Sequence, residues 1–193
     1  MNQQQLKNLL EQVKSGDVAI DDAIGKLKHM PFEDLGFAMV DHHRALRNGM
    51  PEVIFGQGKT PEHILQISQR LLERSPNLLA TRVAPEAAEV VVRSLEGAEY
   101  HPLSKVLRVW RDKTDQGKGK IAVVCAGTAD LPVAEEARLT AEVMGNDIDA
   151  ITDVGVAGIH RLLANVERLR TARVVIAVAG MEASLATAIG GLV

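Results

Sequence analysis

Residues 121–189 repeat one pattern three times: a short strand-like run, a turn of small residues, and an apolar stripe at helical spacing. The runs are 121–125, 148–152 and 174–179. The stripes are Val133, Ala134, Ala137, Ala141 and Met144, then Ile159, Leu162, Leu163, Val166 and Leu169, then residues 183–189. Largely apolar strands separated by helices return through right-handed crossovers, which makes the sheet parallel and covers both its faces with helices. The expected C-terminal unit is a three-layer α/β domain, flavodoxin-like or Rossmann-like, whose ligands sit in the loops at the carboxyl ends of its strands. After Gly190-Gly191, the final Leu192-Val193 reads as the start of a fourth strand. Three parallel strands alone would leave helix faces uncovered, so this domain is expected to be incomplete at its C-terminus.

Upstream the periodicity is more mixed. The first fifty residues read as small helices, on Leu6, Leu9, Leu10 and Val13 and then on Ile20, Ala23, Ile24 and Leu27. Residues 52–55 form a strand candidate and Gly56-Gln57-Gly58-Lys59 a loop; Thr60-Pro61 supplies an N-cap and a first-turn proline for a helix to about Glu73. A strand at 77–83, a helix at 85–95 and an alternating stretch at 99–110 complete a small α+β unit. Residues 111–120 are polar, charged and glycine-bearing, the composition of a connection between domains. The division is therefore an N-terminal helical and α+β domain over 1–111, a linker at 112–120 and the α/β domain over 121–193.

Composition bounds the partners. The chain has 193 residues, 46% hydrophobic and 24% charged, which suits one ordinary soluble domain or two small ones. Lys+Arg number 22 against 25 Asp+Glu, a net charge of −3 with no basic block, so neither nucleic acid nor an anionic membrane has an electrostatic footing. Cys125 is the sole cysteine, and the polar start Met1-Asn2-Gln3-Gln4-Gln5 lacks a signal-peptide core, which together point to the cytoplasm. The apolar runs fall well short of the roughly 20 residues of a membrane helix.

Several groups could carry chemistry. Gly58-Lys59-Thr60 matches the end of a P-loop, but Val53 stands where the motif needs its first glycine; an anion site or a simple turn before a capped helix remains. In Asp41-His42-His43-Arg44 the adjacent histidines diverge by about 100° on a helix, so a solvated polar face is expected. Ala126-Gly127-Thr128-Ala129-Asp130 offers a hydroxyl and a carboxylate at a helix start, as a phosphate or ribose cradle or as ordinary capping. Gly155-Val156-Ala157-Gly158-Ile159-His160-Arg161 sets a titratable imidazole and a guanidinium beside a small-residue loop. Glu182, after Gly180-Met181, is a candidate general base or a helix-start carboxylate. Cys125 at a strand end reads as a small buried group.

These three C-terminal turns, in order, resemble the LarB family of nickel-pincer cofactor biosynthesis proteins from lactate racemase systems, relatives of the purine-pathway carboxymutase PurE. Asp41-His42-His43-Arg44-Ala45-Leu46-Arg47-Asn48-Gly49-Met50-Pro51-Glu52-Val53-Ile54 and Gly56-Gln57-Gly58-Lys59-Thr60 extend the resemblance into the first domain. The resemblance implies a pyridinium-3,5-biscarboxylic acid mononucleotide synthase. Such an enzyme carboxylates the pyridine ring of nicotinate adenine dinucleotide with carbon dioxide or bicarbonate and hydrolyses the phosphoanhydride to release AMP. It implies Glu182, His160 and Asp130 as catalytic residues and Gly127, Thr128, Gly155, Gly158, Arg161, Gly180 and Met181 as the nucleotide pocket. It also implies Mg2+ on the pyrophosphate and a PurE-like homo-oligomer, an octamer by analogy. The family attacks the ring with a cysteine thiolate from a later C-terminal segment. That segment lies outside these 193 residues, so the chain is expected to turn over little or nothing. Two alternatives stand beside this reading: a PurE-like carboxyl shift on an aminoimidazole ribonucleotide, and a non-catalytic nucleotide-binding or assembly module.

Overall fold

A computed structural model describes residues 3–27 and 32–193; Met1 and Asn2 of the polar start lie outside the described residues. Helices α1 (Gln3–Ser15) and α2 (Ile20–Leu27) pack on each other as their apolar spacing predicts. The next stretch departs from the helical expectation. Strands β1 (Glu33–Asp34) and β2 (Met39–Val40) form a small antiparallel hairpin, because Gly36 takes φ +82° and its N–H donates to the Asp34 carboxylate at 2.7 Å. Short helix α3 (Arg44–Asn48) follows, then β3 (Ile54–Phe55) and α4 (Pro61–Leu72). The Thr60 hydroxyl caps α4 by accepting from the His63 N–H. Next come β4 (Asn77–Thr81), α5 (Pro85–Ser94) and the hairpin β5 (Ala98–His101) and β6 (Val106–Trp110).

These strands make a mixed sheet in the order β3-β4-β6-β5, with β3 parallel to β4 and the other pairs antiparallel. Alternation decides its two faces. Leu78, Ala80, Leu107 and Val109 pack with Ile64, Ile67 and Leu71 of α4 and with Ala87, Ala88 and Val91 of α5. Leu79 and Val106 point the other way.

The C-terminal repeats give β7 (Ile121–Cys125), α6 (Leu131–Val143), β8 (Ile148–Ile151), α7 (Ile159–Leu163), α8 (Val166–Thr171), β9 (Val174–Val178) and α9 (Ser184–Gly190). All pairings are parallel and the order is β8-β7-β9, with the first strand central, as in the opening of a flavodoxin-like sheet. Val123 and Cys125 of β7 pack under Ala134 of α6. Ala122 and Val124 face Leu162, Leu169, Leu185 and Ile189 of α7, α8 and α9.

Helix α6 is the centre of the molecule. Its Ala134 meets the second sheet, while Leu139 and Val143 join Leu79 and Val106 of the first, so one helix is sandwiched between two sheets. This corrects the single apolar face expected for it: Val133 is 60% exposed, and two narrower faces are buried instead. Polar groups lock the same contact. Arg108 of β6, only 8% exposed, donates to Glu99 at 3.0 Å and to Glu142 of α6 at 2.9 Å, with its guanidinium 4.6 Å from the Trp110 ring. Arg138 closes the network on Glu142 at 2.6 Å.

Gly145 ends α6 in a left-handed turn, φ +77°, in which its N–H bonds Glu142 O and the Asn146 N–H reaches back to Ala141 O. Residues 111–120 contain no helix or strand, yet they are tied down at both sides. Asn77 accepts from the Arg111 and Asp112 N–H groups and donates to Asp112 O and Val143 O, and the N–H groups of Gln116 and Gly117 bond Gly145 O.

Two further expectations need correction. The stripe from Ile159 to Leu169 is broken into α7 and α8 at Ala164 and Asn165, where the Asn165 side-chain amide donates to Arg161 O and competes with the helix ladder. Strand β9, read as buried, pairs on one side only among the described residues, where Val174 is 49% exposed. Among the described residues no helix is long and apolar enough to cross a membrane.

Leu139 is fully buried between the sheets. Leu139→Ala is expected to destabilise the fold by about 2–5 kcal/mol in urea unfolding. At the sheet edge, Arg168 donates to both carboxylate oxygens of Asp149, and that hydrogen bonding holds the Asp149 carboxyl below its ordinary value. A depressed folded pKa means that the pair stabilises above the unfolded carboxylate pKa and that this contribution is lost as pH falls through the folded value. Unfolding of Asp149→Asn across the acid range should show a flatter stability curve than wild type; identical acid limbs would refute the assignment.

Candidate functional site

The carboxyl ends of β7, β8 and β9 lie on one rim, and their turns are sewn together by backbone hydrogen bonds. Ala126 N–H donates to Val178 O at 3.0 Å, Gly155 N–H to Ala126 O at 2.8 Å and Val154 N–H to Cys125 O at 3.1 Å. Parallel strands leave their last carbonyls and the following loops at a common end, so the order β8-β7-β9 alone places residues 126–130, 153–161 and 179–183 together.

Each turn has its own local cause. In the first, the Asp130 carboxylate accepts from the Gly127 N–H at 2.8 Å and fixes the entry to α6, while Thr128 is exposed. In the second, Asp153 adopts φ +57° and its carboxylate binds Arg161. Arg161 lies across the small-residue loop: a Cβ on Gly158 would stand 2.6 Å from its Nε, and one on Gly155 would stand 3.0 Å from Ala126 O. His160 beside it is exposed. In the third turn Gly180, Met181 and Glu182 are all exposed, Ala183 takes φ +49°, and the Glu182 carboxylate accepts from the Ser184 hydroxyl at 3.1 Å.

The rim therefore gathers Gly127, Thr128, Asp130, Gly155, Gly158, Arg161, Gly180, Met181 and Glu182 by backbone, but their side chains start from different faces. Asp130 heads α6 on one face of the sheet, whereas His160 lies in the first turn of α7 and Glu182 precedes α9 on the other. Asp130 and Arg161 are held by their own chain; His160 and Glu182 face solvent.

Asp153 is the rim residue that sequence reasoning missed. Its signal is an aspartate directly after the strand run with an arginine eight residues on. Left-handed backbone at a non-glycine residue costs roughly 1–2 kcal/mol and clusters at functional sites. Among the described residues four non-glycine residues adopt it: Asp153 and Ala183 lie in these turns, and Arg82 (φ +52°) and Lys105 (φ +55°) sit at neighbouring ends of β4 and β6.

The upstream motifs fall elsewhere. Lys59 is exposed in the turn before α4. The expected solvated face at Asp41-His42-His43-Arg44 is corrected. His42 is 6% exposed and lies 3.0 Å from the Glu33 carboxylate, because the unforeseen hairpin carries Glu33 beside it. The hydrogen bond from His42, reinforced by Arg70, holds the Glu33 carboxyl below its ordinary value. Asp41 pairs with Arg47 at 2.6 Å. Cys125 is completely buried beneath α6. Among the described residues no group of three or more His, Cys, Asp or Glu side chains could hold a metal ion.

Residues 32–112 match the family model of the LarB/PurE-like N-terminal domain. An uncharacterized protein of Methanocaldococcus jannaschii is 35% identical over 199 residues, an alignment that takes in 97% of this chain and 77% of the relative. The relative's match runs through both sheets and the rim turns alike. The chain belongs to the LarB/PurE-like family.

Proposed function

We propose that the chain is the nucleotide-binding and base-bearing part of a pyridinium-3,5-biscarboxylic acid mononucleotide synthase. The observation that carries this reading is the convergence of three LarB-like turns on the carboxyl rim of one parallel sheet. Gly127 and Gly180 keep the rim backbone open to a dinucleotide, Gly155 and Gly158 let the Ala126 carbonyl and Arg161 pack closely beneath it, and Thr128 and Met181 stand at its edge. Arg161, aimed by Asp153, offers a cation to its phosphates. Exposed Glu182 takes the ring proton after carboxylation, and His160 serves the leaving or entering proton. Asp130 acts by fixing the first turn through Gly127.

Addition of carbon dioxide to an electron-poor pyridinium needs a thiolate adduct first. Cys125 is sealed under α6 and cannot provide it, so turnover belongs to a longer chain with an accessible cysteine. The described residues hold no cluster suited to a resident metal; we assign Mg2+ to the pyrophosphate oxygens of the substrate. A PurE-like homo-oligomer belongs to the same reading, because association buries sheet edges and can bring a second copy beside the rim.

The buried cysteine favours one second reading. A PurE-like carboxyl shift on an aminoimidazole ribonucleotide needs an acid/base histidine and no thiolate, and exposed His160 answers to that need. A substrate panel separates the two: AMP release from nicotinate adenine dinucleotide with bicarbonate supports the synthase, and carboxyl transfer on the imidazole supports the mutase. Glu182→Gln in a thiol-bearing longer form is expected to lower AMP release by about 10²–10⁴-fold with an unchanged far-UV spectrum. The 193-residue chain alone is expected to release none; AMP from it would refute the requirement for a further thiol.

A further inference from the structure

The mixed sheet turns the carboxyl ends of β3 and β4 toward the same end of the molecule as the rim. Ser104 N–H donates to the Glu135 carboxylate in the second turn of α6 at 3.1 Å, Val83 N–H to Lys105 O at 2.8 Å and Gly56 N–H to Thr81 O at 2.8 Å. These contacts set the ends of β3 and β4 and the start of β6 beside the first turns of α6, which leads out of the rim turn 126–130. The Gly58-Lys59-Thr60 motif falls at this end too, between β3 and α4. Alternation decides what lies on the α6 side: Ile54 packs with α4 and Val53 with Leu79 and Leu139, so Phe55 shares the α6 side and is 50% exposed there. The Arg82 guanidinium lies 5.5 Å from the centre of the Phe55 ring. Beyond that contact Arg82 has no side-chain partner among the described residues, and Lys59 and Lys105 have none. Glu62 and Glu86 stand in the first turns of α4 and α5, on the opposite face of the sheet.

A half-exposed aromatic ring offers a flat apolar surface to a base, and a guanidinium that no carboxylate of its own chain neutralises offers a two-point contact to a phosphate. A dinucleotide seated on the rim needs a place for its second nucleotide. The way from Thr128 toward Phe55 runs past the start of α6, whose first turn carries no acidic side chain and whose dipole favours an anion. We propose that the ledge made by Phe55, Arg82 and Lys105 takes the adenylate half of the dinucleotide, with the base along Phe55 and the phosphate held by Arg82 and Lys105. The first domain then completes the site of the second. The identity of the nucleotide rests on the synthase reading of the rim, whereas the ledge stands on contacts within the first domain.

Amide shifts of the 193-residue chain test this with AMP and nicotinate mononucleotide as separate probes, against inorganic phosphate and sodium chloride at equal ionic strength. AMP should move residues 55–59, 82–84 and 104–106 saturably and bind more tightly than phosphate. Arg82→Gln should weaken AMP by about tenfold or more, while Arg93→Gln, an exposed cation on α5 paired with Glu89, should leave it intact. Should Arg82→Gln fail to fold, the shift map of the wild-type chain decides. Absence of a saturable AMP response in those segments, AMP shifts confined to 126–130 and 155–161, phosphate binding as tight as AMP, or undiminished affinity in folded Arg82→Gln would overturn the proposal. Nicotinate mononucleotide separates it from the reading of the rim. Rim shifts with that probe while AMP leaves the ledge unmoved would sink the ledge alone, whereas AMP on the ledge with a silent rim would uphold the ledge and sink the rim reading.

Discussion

The contact on which the rest depends is the double burial of α6. A helix against one sheet can spend its opposite face on solvent, but α6 gives Ala134 to the parallel sheet and Leu139 and Val143 to the mixed one. The Arg108–Glu142 pair sits at that junction with the guanidinium over Trp110. Desolvation offsets much of the attraction in such a buried pair, whereas removing one partner leaves a buried charge unpaired, so both groups are needed once the docking has formed. The result positions the rim: α6 begins at Asp130, so whatever fixes α6 between the sheets also fixes the first turn of the site.

The parts of the fold legible in the sequence are those in which one face is buried and the pattern is simple. Strands β7 and β9 stand out as apolar runs, α4 by its Thr60-Pro61 entry, and Gly145 as the stop of α6. The failures share a cause. Val133 matches the spacing of Ala134 and Ala137, and only the presence of a second sheet tells the helix to turn Leu139 inward. The hairpin at 33–40 has two-residue strands, too short for alternation to register, and its Asp34–Gly36 turn is set by local hydrogen bonding. The break after Leu163 comes from one asparagine amide bonding a carbonyl four residues back.

The site was legible in its backbone and less so in its side chains. The glycines and the order of the turns are local properties. The Asp153–Arg161 pair depends on a left-handed aspartate, and the burial of His42 depends on a strand pairing that brings Glu33 across.

The shared helix also has a consequence for biosynthesis. The mixed sheet is complete once the ribosome has released Trp110, but the helix that covers Leu79 and Val106 ends at Val143. Between those moments the nascent chain carries a finished sheet with one greasy side open to solvent, a window in which chaperone capture or misassociation competes with folding. The ties that hold the crossing at 111–120 also wait for α6, because Asn77 donates to Val143 O and the Gln116 and Gly117 N–H groups bond Gly145 O at its end.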